Sequence, residues 1–237
     1  MDHRFFDTID SESKAYWLGF VVADGTVSWD VKGGNYGVTF GLQRSDRDHL
    51  VTFLRDLQSD SEVHIDPRNG TVRAQIYSKY LAAALVELGV TPRKSGRERV
   101  PEVSIPLRHH FWRGVFDGDG SVTIQRKAAG LAPEYRFSLI GSQEILMAFQ
   151  RWAYEAAGAR QQLIGRASNQ NGPTKTYVFY MNGNRQIEAV LSALFSASTR
   201  RLTRKYETYL SLVVQNKLVR PSYRRVYAST APSGATG

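Results

Sequence analysis

The sequence predicts an α+β fold made of two copies of one unit, each with the element order αββαββα. Short segments that alternate apolar and polar residues are typical of half-buried strands, and they stand between longer segments with helical periodicity. This order occurs in both halves of the 237-residue chain, and an eleven-residue segment recurs at an offset of 95 residues. We therefore expect domains at 1–100 and 101–220, followed by a disordered basic tail at 221–237.

The first half has predicted elements with clear boundaries. Gly33-Gly34-Asn35 is typical of a hairpin turn, and Gly89 is a favoured residue just after a helix. The predicted elements are a helix at Ser13–Asp24, strands at Thr26–Lys32 and Tyr36–Gln43, a helix at Ser45–Leu57, strands at Glu62–Asp66 and Thr71–Tyr77, and a helix at Lys79–Leu88.

The second half repeats the same succession. Gly158 marks the end of its central helix. The predicted elements are a helix at Arg108–Asp119, strands at Ser121–Lys127 and Glu134–Ile140, a helix at Gln143–Ala157, strands at Arg160–Arg166 and Thr174–Met181, and helices at Asn184–Phe195 and Thr203–Gln215. The region from Pro221 onward has no such pattern.

Alternation within the strands predicts one buried and one exposed face for each sheet. The residues predicted to point inward are Val27, Trp29, Val31, Val38, Phe40, Leu42, Val72, Ala74, Ile76, Val122, Ile124, Phe137 and Leu139. The exposed face and its turns carry side chains that suit bases and phosphates. These candidate DNA-binding residues are Lys32, Thr39, Gln43, Arg68, Arg73, Gln75, Tyr77, Thr123, Gln125, Lys127, Arg136, Ser138, Arg166 and Lys175.

The charge distribution indicates a polyanionic partner. The net charge is +9, but residues 1–66 carry −6 and residues 67–237 carry +15. Nucleic acid fits this excess first and an anionic membrane second, with a plain solvated basic surface as the alternative. The chain has no cysteine, which excludes disulfides, thiolate zinc sites and a cysteine nucleophile. It lacks a long apolar segment and a signal-peptide pattern, so we expect a soluble intracellular protein without membrane association.

Two aspartates end predicted helices and precede glycines: Asp24 and Asp119. The C-terminal end of a helix carries a partial negative charge, so a carboxylate there calls for a compensating cation. Aspartate and backbone oxygens suit Mg²⁺, which also binds phosphate. A calcium loop at Asp117–Gly120 is rejected, because Val122 stands where its glycine should be. His109-His110 lacks the spacing of a zinc site.

Small residues line one ridge of each of these helices at i, i+4 spacing. They are Ala15, Gly19 and Ala23 in the first helix, and Gly114 and Gly118 in the second. Such ridges allow two helix backbones to approach closely. If the ridges face each other, both carboxylates arrive at one place between the two halves, where metal ions could act on a phosphodiester.

The segments Trp17–Val27 and Trp112–Val122 resemble the signature of LAGLIDADG homing endonucleases, and two copies in one chain resemble the monomeric, two-motif members of that family. The resemblance covers nearly all of residues 10–215. It implies saddle-shaped antiparallel sheets along the DNA major groove and motif helices packed at the domain interface. It also implies a monomer that cleaves both strands of a long specific DNA site and leaves short 3′ overhangs.

The resemblance also implies site residues. Asp24 and Asp119 would bind Mg²⁺ or Mn²⁺, with help from the backbone carbonyls of Ala23 and Gly118, and Ca²⁺ could bind without supporting cleavage. The first motif has Val22 where the second has Asp117, a position that is mainly structural in the family.

Three further catalytic candidates follow from the resemblance. Lys94 and Lys205 are the expected basic residues, with DNA-backbone or solvent contact as the alternative role. Gln43 could position water, and its counterpart is taken as Ile140, so the two centres would be unequal.

We therefore expect a site-specific, Mg²⁺-dependent double-strand DNA endonuclease. The alternative is a non-cleaving nucleic-acid-binding protein of the same fold, either an intron RNA maturase or a transcription regulator. We expect a free-standing or intron-encoded protein, not an intein, in the cytoplasm of a bacterium or phage-infected host. An organelle remains open as an alternative location.

Overall fold

The structure is a computed structural model that describes residues 1–68, 70–92, 96–125, 132–167 and 176–228. It confirms the α+β class and the repeated element order. The first unit contains α1 (Glu12–Asp24), β1 (Thr26–Asp30), β2 (Asn35–Gln43), α2 (Arg47–Asp56), β3 (His64–Ile65), β4 (Thr71–Tyr77) and α3 (Lys79–Glu87). The second contains α4 (Arg108–Asp119), β5 (Gly120–Gln125), β6 (Glu134–Gly141), α5 (Gln143–Ala157), β7 (Gly165–Arg166), β8 (Tyr177–Asn182), α6 (Asn184–Phe195) and α7 (Thr203–Ala228).

Each unit has one antiparallel four-stranded sheet, in the order β1-β2-β4-β3 or β5-β6-β8-β7. The registers correspond: Thr26 lies opposite Thr39, and Ser121, which holds the same place in the second motif, lies opposite Ser138. Apolar residues on the inner face pack against the helices, among them Phe40 and Phe137, which are both buried. The predicted alternation is therefore confirmed along the central strands.

The prediction of an inward side chain is wrong at two positions. Val31 is 71% exposed and lies in the turn after β1, and Ile124 is 50% exposed one residue before the end of β5. Both lie near the hairpin ends of their strands, where alternation gives the direction of a side chain but not whether a helix covers it. The strands β3 and β7 are also shorter than predicted, with two residues each.

The last helix is longer than predicted. The sequence predicts that this helix ends at Gln215 and that the chain is disordered from Pro221, whereas α7 continues to Ala228. A proline removes one backbone donor and bends a helix without having to end it. The predicted tail is therefore corrected for residues 221–228, and residues 229–237 lie outside the described part of the chain.

The two units meet through α1 and α4, as the small-residue ridges predict. A Cβ on Gly19 would lie 2.0 Å from the Phe111 carbonyl oxygen, and a Cβ on Gly114 would lie 2.0 Å from the Tyr16 carbonyl oxygen. Only glycine permits this backbone-to-backbone contact. Residues of α1 from Ala15 to Val22 are all buried, which explains why this helix has no polar stripe. The helix pair is thus the common core of both units.

None of the helices in the described ranges has both the length and the apolar character needed to cross a lipid bilayer.

Candidate functional site

The paired helices end at the same place, where each continues directly into a strand. Asp24 is the last residue of α1 and is exposed, and Asp119 is the last residue of α4 and is partly exposed. A Cβ built on Gly118 would lie 2.4 Å from the Ala23 Cβ and 3.3 Å from the Asp24 Cβ. The close helix contact therefore brings the two predicted metal-binding aspartates to one end of the interface, where β1 and β5 begin.

The side chain of Lys205 closes the C-terminal end of α4. Its Nζ donates to the carbonyl oxygens of Phe116, Asp117 and Gly120 at 2.6, 2.7 and 2.6 Å. Burial lowers the pKa of Lys205 to about 8, and the carboxylates of Asp117, Asp119 and Asp24 oppose that shift. A cation here compensates the partial negative charge of the helix end. All three N–H groups of the Lys205 ammonium therefore donate to backbone carbonyls at this helix end, next to the predicted metal-binding residues.

The other two catalytic candidates have different outcomes. Lys94 lies outside the described residues. Gln43 is exposed at the end of β2, and its amide nitrogen donates to Asp46 Oδ2 at 3.1 Å. The same carboxylate accepts from Arg204 Nε at 3.1 Å. Gln43 is therefore connected to the residue that precedes Lys205, and its role in positioning water stays a prediction.

The proposed correspondence of Gln43 with Ile140 is wrong. Because Thr39 corresponds to Ser138 in the strand registers, the counterpart of Gln43 is Ser142. Ser142 caps α5, where its Oγ accepts from Ile145 N at 3.2 Å. The sequence alone does not give the strand register, because the register depends on contacts between strands. The two halves nevertheless remain unequal at this position, because the first unit has the amide side chain of Gln43 where the second has the hydroxyl of Ser142.

A buried polar network crosses the α1–α4 interface on the core side of Asp24 and Asp119. The Tyr16 hydroxyl donates to Asp117 Oδ2 at 2.8 Å and lies 2.8 Å from His49 Nε2. The backbone N–H of Leu202 also donates to Asp117 Oδ2, at 2.8 Å. Among the described residues, the buried Oδ1 of Asp117 has no hydrogen-bond partner. This network joins α1, α2 and α4 to the segment before α7.

The protonation of this network follows from its burial. Burial raises the pKa of Asp117, while the Lys205 ammonium and the hydrogen bonds from Leu202 and Tyr16 oppose the shift. Burial, with the neighbouring Asp117 charge, raises the pKa of Tyr16 well above its usual value. Burial and the cations Lys205 and Arg204 lower the pKa of His49 to about 3. His49 is therefore neutral at physiological pH.

Tyr16, His49 and Arg113 were not predicted as site residues from the sequence. Arg113 is fully buried in α4 and donates to Glu12 Oε1 at 2.7 Å and to the carbonyl oxygen of Leu194 at 2.8 Å. A polar residue inside an otherwise buried helix is a signal for such a network, because a buried polar group needs a partner. The sequence offered this signal at Arg113 and Asp117, but it could not identify the partners.

The predicted nucleic-acid face follows the outer side of both sheets. The exposed candidates are Lys32, Gln43, Arg68, Arg73, Tyr77, Thr123, Arg136 and Arg166. The partly exposed candidates are Thr39, Gln75, Gln125 and Ser138. Lys127 and Lys175 lie outside the described residues. Arg68 pairs with Asp66 in the turn before β4, with its Nη2 3.0 Å from Asp66 Oδ2.

The donor atoms at the interface end suit a hard divalent cation. Two carboxylates and nearby backbone carbonyls are oxygen ligands of the kind that Mg²⁺ and Mn²⁺ take. Within the described ranges, no group of three or more histidine, aspartate or glutamate side chains could hold a metal ion by itself. The residues therefore fit a metal site that is completed by oxygens from elsewhere, such as water or phosphate.

The geometry defines a protein of two αββαββα units joined through paired helices, with an acidic residue at the end of each helix. This is the fold of the LAGLIDADG homing endonucleases.

Similar solved structures include the LAGLIDADG meganuclease I-AabMI bound to uncleaved DNA, with a TM-score of 0.61, 13% identity, and coverage of 88% of this chain and 91% of that chain. The I-LtrWI homing endonuclease bound to target DNA gives a TM-score of 0.57, 13% identity, and coverage of 88% and 91%.

I-GzeII in complex with its DNA target gives a TM-score of 0.57, 11% identity, and coverage of 94% of each chain. No family model and no curated protein sequence matches this chain. At 11–14% identity these similarities establish the fold.

Proposed function

We propose that this protein is a site-specific endonuclease that hydrolyses one phosphodiester bond in each strand of a DNA duplex. The observation that carries the proposal is the meeting of Asp24 and Asp119 at the end of the α1–α4 interface, between two sheets with polar outer faces. Similar structures of this fold are bound to DNA. A duplex lying along both sheets would pass over the two carboxylates.

The acidic pair provides the place for divalent metal. Asp24 and Asp119, with the backbone carbonyls of Ala23 and Gly118, would hold Mg²⁺ or Mn²⁺, and Ca²⁺ would bind without supporting cleavage. Such an ion supplies electrostatic stabilisation of the charge that develops on a phosphate during hydrolysis. The remaining ligands would come from the DNA and from water.

Lys205 would act on this site by fixing the end of α4. Its three hydrogen bonds to carbonyl oxygens hold the backbone on both sides of Asp119, which limits the positions that the carboxylate can take. A catalytic group that is already held in position requires less reorganisation during the reaction than a group that must first be ordered. Lys94 would be the equivalent basic residue of the first unit, and Gln43 would position water.

The outer sheet faces would bind the duplex in its major groove. The net charge of +15 over residues 67–237 favours contact with phosphates, and each neutralised phosphate releases counterions. We therefore expect duplex binding to weaken steeply with salt concentration. A binding constant that does not respond to salt would contradict this arrangement.

The test is a cleavage selection from a supercoiled plasmid library with long randomised inserts, in the presence of Mg²⁺. We expect linear products that share one sequence, and end sequencing should show short 3′ overhangs. The same reaction in Ca²⁺ should give binding without linear product. Specific binding with no cleavage in Mg²⁺ or Mn²⁺ would instead support a non-cleaving binder such as an intron RNA maturase, and intron RNA added as a competitor would identify it.

A further inference from the structure

One arginine on the outer face of the second sheet is held from two sides. Arg136 is the third residue of β6 and lies opposite Thr123 of β5 and Asn182 of β8. Its Nε donates to Asn182 Oδ1 at 3.4 Å, and its guanidinium lies over the Tyr180 ring at 5.7 Å from the centroid. Tyr180 is itself 50% exposed. A cation above an aromatic ring is attracted by the ring electrons, so the guanidinium has a preferred position although its residue is exposed.

The opposite end of the same guanidinium points at a single acceptor. In the amide orientation that satisfies both partners, the Gln125 carboxamide oxygen accepts from Arg136 Nη1 and Nη2 at 3.2 and 3.3 Å. The two Nη atoms therefore present a fork that already converges on one oxygen. Guanine offers two acceptors, N7 and O6, on its major-groove edge, and bidentate contact with arginine is the commonest specific pairing there.

We propose that Arg136 reads one guanine in the DNA site, that Asn182 and Tyr180 hold its guanidinium for this contact, and that Gln125 occupies the position of the base in the free protein. This inference rests on the proposed function. Asn182 and Tyr180 are positioning residues here, because they act through Arg136.

The strand register gives the place of this guanine. Thr123, opposite Arg136, follows Asp119 by four residues, and at about 3.3 Å per strand residue the two lie about 13 Å apart along the chain. The duplex rises about 3.4 Å per base pair, so the guanine lies about four base pairs from the phosphate at Asp119.

The first sheet lacks this arrangement. Gly37 holds the position of Arg136, since Thr39 corresponds to Ser138, and it lies opposite Tyr77. A Cβ on Gly37 would lie 2.1 Å from the Ile76 carbonyl oxygen, so no longer side chain fits. A guanine preference that arises at this register position should therefore occur only in the half contacted by the second sheet.

The test measures competition binding to the selected target in Ca²⁺, with all four base pairs placed in turn at each position. We expect wild-type protein to favour guanine by about 5- to 150-fold at one position in the half contacted by the second sheet, about four base pairs from the cut. Arg136→Ala should remove this preference at that position alone. Arg136→Lys should also reduce it while leaving the salt dependence unchanged, because lysine keeps the charge without the fork.

Three further variants distinguish recognition of the guanine from non-specific electrostatic attraction to the DNA. Asn182→Ala and Tyr180→Leu should each reduce the guanine preference, whereas Gln125→Ala should preserve or increase it by removing the internal acceptor. Arg73→Ala, in the first sheet, is the control and should leave this position unaffected. An unchanged preference in Arg136→Ala, or an equal loss at every position, would overturn the assignment. Failure to bind any duplex would overturn the proposed function itself, whereas intact binding with no guanine preference would overturn only this inference.

Discussion

The Tyr16 hydroxyl donates to Asp117 Oδ2 at 2.8 Å and so joins the first motif helix to the second inside the core. Because the same hydroxyl lies 2.8 Å from His49 Nε2, the hydrogen bond extends from α4 through α1 to α2. The first motif has Val22 in place of Asp117, so only one such acid is present in the pair of helices. The interface is therefore similar in backbone shape on both sides but unequal in polarity.

Tyr16→Phe should destabilise the fold by about 1–3 kcal/mol, because it leaves the buried Asp117 carboxylate with a single hydrogen-bond donor. Urea denaturation measures this change. In a double-mutant cycle with Asp117→Leu, which removes the acceptor, the two effects should not add, since both residues share one contact. Tyr77→Phe changes an exposed tyrosine and serves as the control. Additive effects would show that the hydrogen bond does not couple the two helices.

Gly114→Ala should be strongly destabilising, because its Cβ would lie 2.0 Å from the Tyr16 carbonyl oxygen. We expect a loss of about 3 kcal/mol or more, since backbone atoms on both helices would have to separate. Gly41→Ala is the matched control, because its Cβ would meet no atom within 4 Å. Equal urea midpoints for the two variants would contradict the close helix contact.

Stability should decrease in acid because of His49. Its pKa in the folded state is about 3, below the ordinary value of 6.5, so between these values the unfolded chain binds the proton and the folded chain does not. The free energy of unfolding therefore falls as pH falls through this window, by about 1.4 kcal/mol per pH unit for one group. His110, whose pKa is lowered to about 4 mainly by burial, acts in the same direction.

His49→Gln should reduce this pH dependence, measured as urea midpoints across the same pH range. The glutamine variant also lowers stability at neutral pH if its amide bonds Tyr16 poorly, so the slope with pH and not the stability itself is the relevant quantity. His64→Gln alters an exposed histidine of β3 and should leave the slope as in wild type. An unchanged slope in His49→Gln would contradict a neutral buried imidazole.

Lys205→Met should cost about 3 kcal/mol or more, because it removes the cation from three carbonyl oxygens and removes one of the two cations, Lys205 and Arg113, that favour the ionised Asp117 carboxylate. Lys217→Met, at an exposed position on the same helix, is the control. Cleavage should be measured below the unfolding transition, where both variants are folded. Stability equal to wild type would show that Lys205 does not cap α4.

The helices of the interface could be predicted because their signals are local. The sequence places the end of α4 at Asp119, and small residues predict the contact of Gly19 with the facing helix. The roles of Lys205 and Gln43 could not be predicted in the same way. Each depends on atoms far away along the chain, such as Phe116 for Lys205, and such pairs appear only once the elements are packed.

The register between strands is a second property that local patterns do not fix. Alternation assigns Arg136 to the outer face, but its contacts with Gln125 and Asn182 depend on how β5, β6 and β8 are aligned. For the same reason, the sequence paired Gln43 with the wrong residue of the second half. Whether a helix covers a given strand residue likewise depends on packing, and for this reason the exposure of Ile124 could not be predicted.

The most direct test of the paired carboxylates compares binding with cleavage on the selected DNA site. Asp24→Asn/Asp119→Asn keeps the shape of both side chains but removes both charges, and Asp48→Asn, whose side chain is fully exposed, is the control. We expect the double variant to bind the duplex about as tightly as wild type and to produce neither nicked nor linear DNA in Mg²⁺. Linear product at the wild-type rate from the double variant would contradict the account.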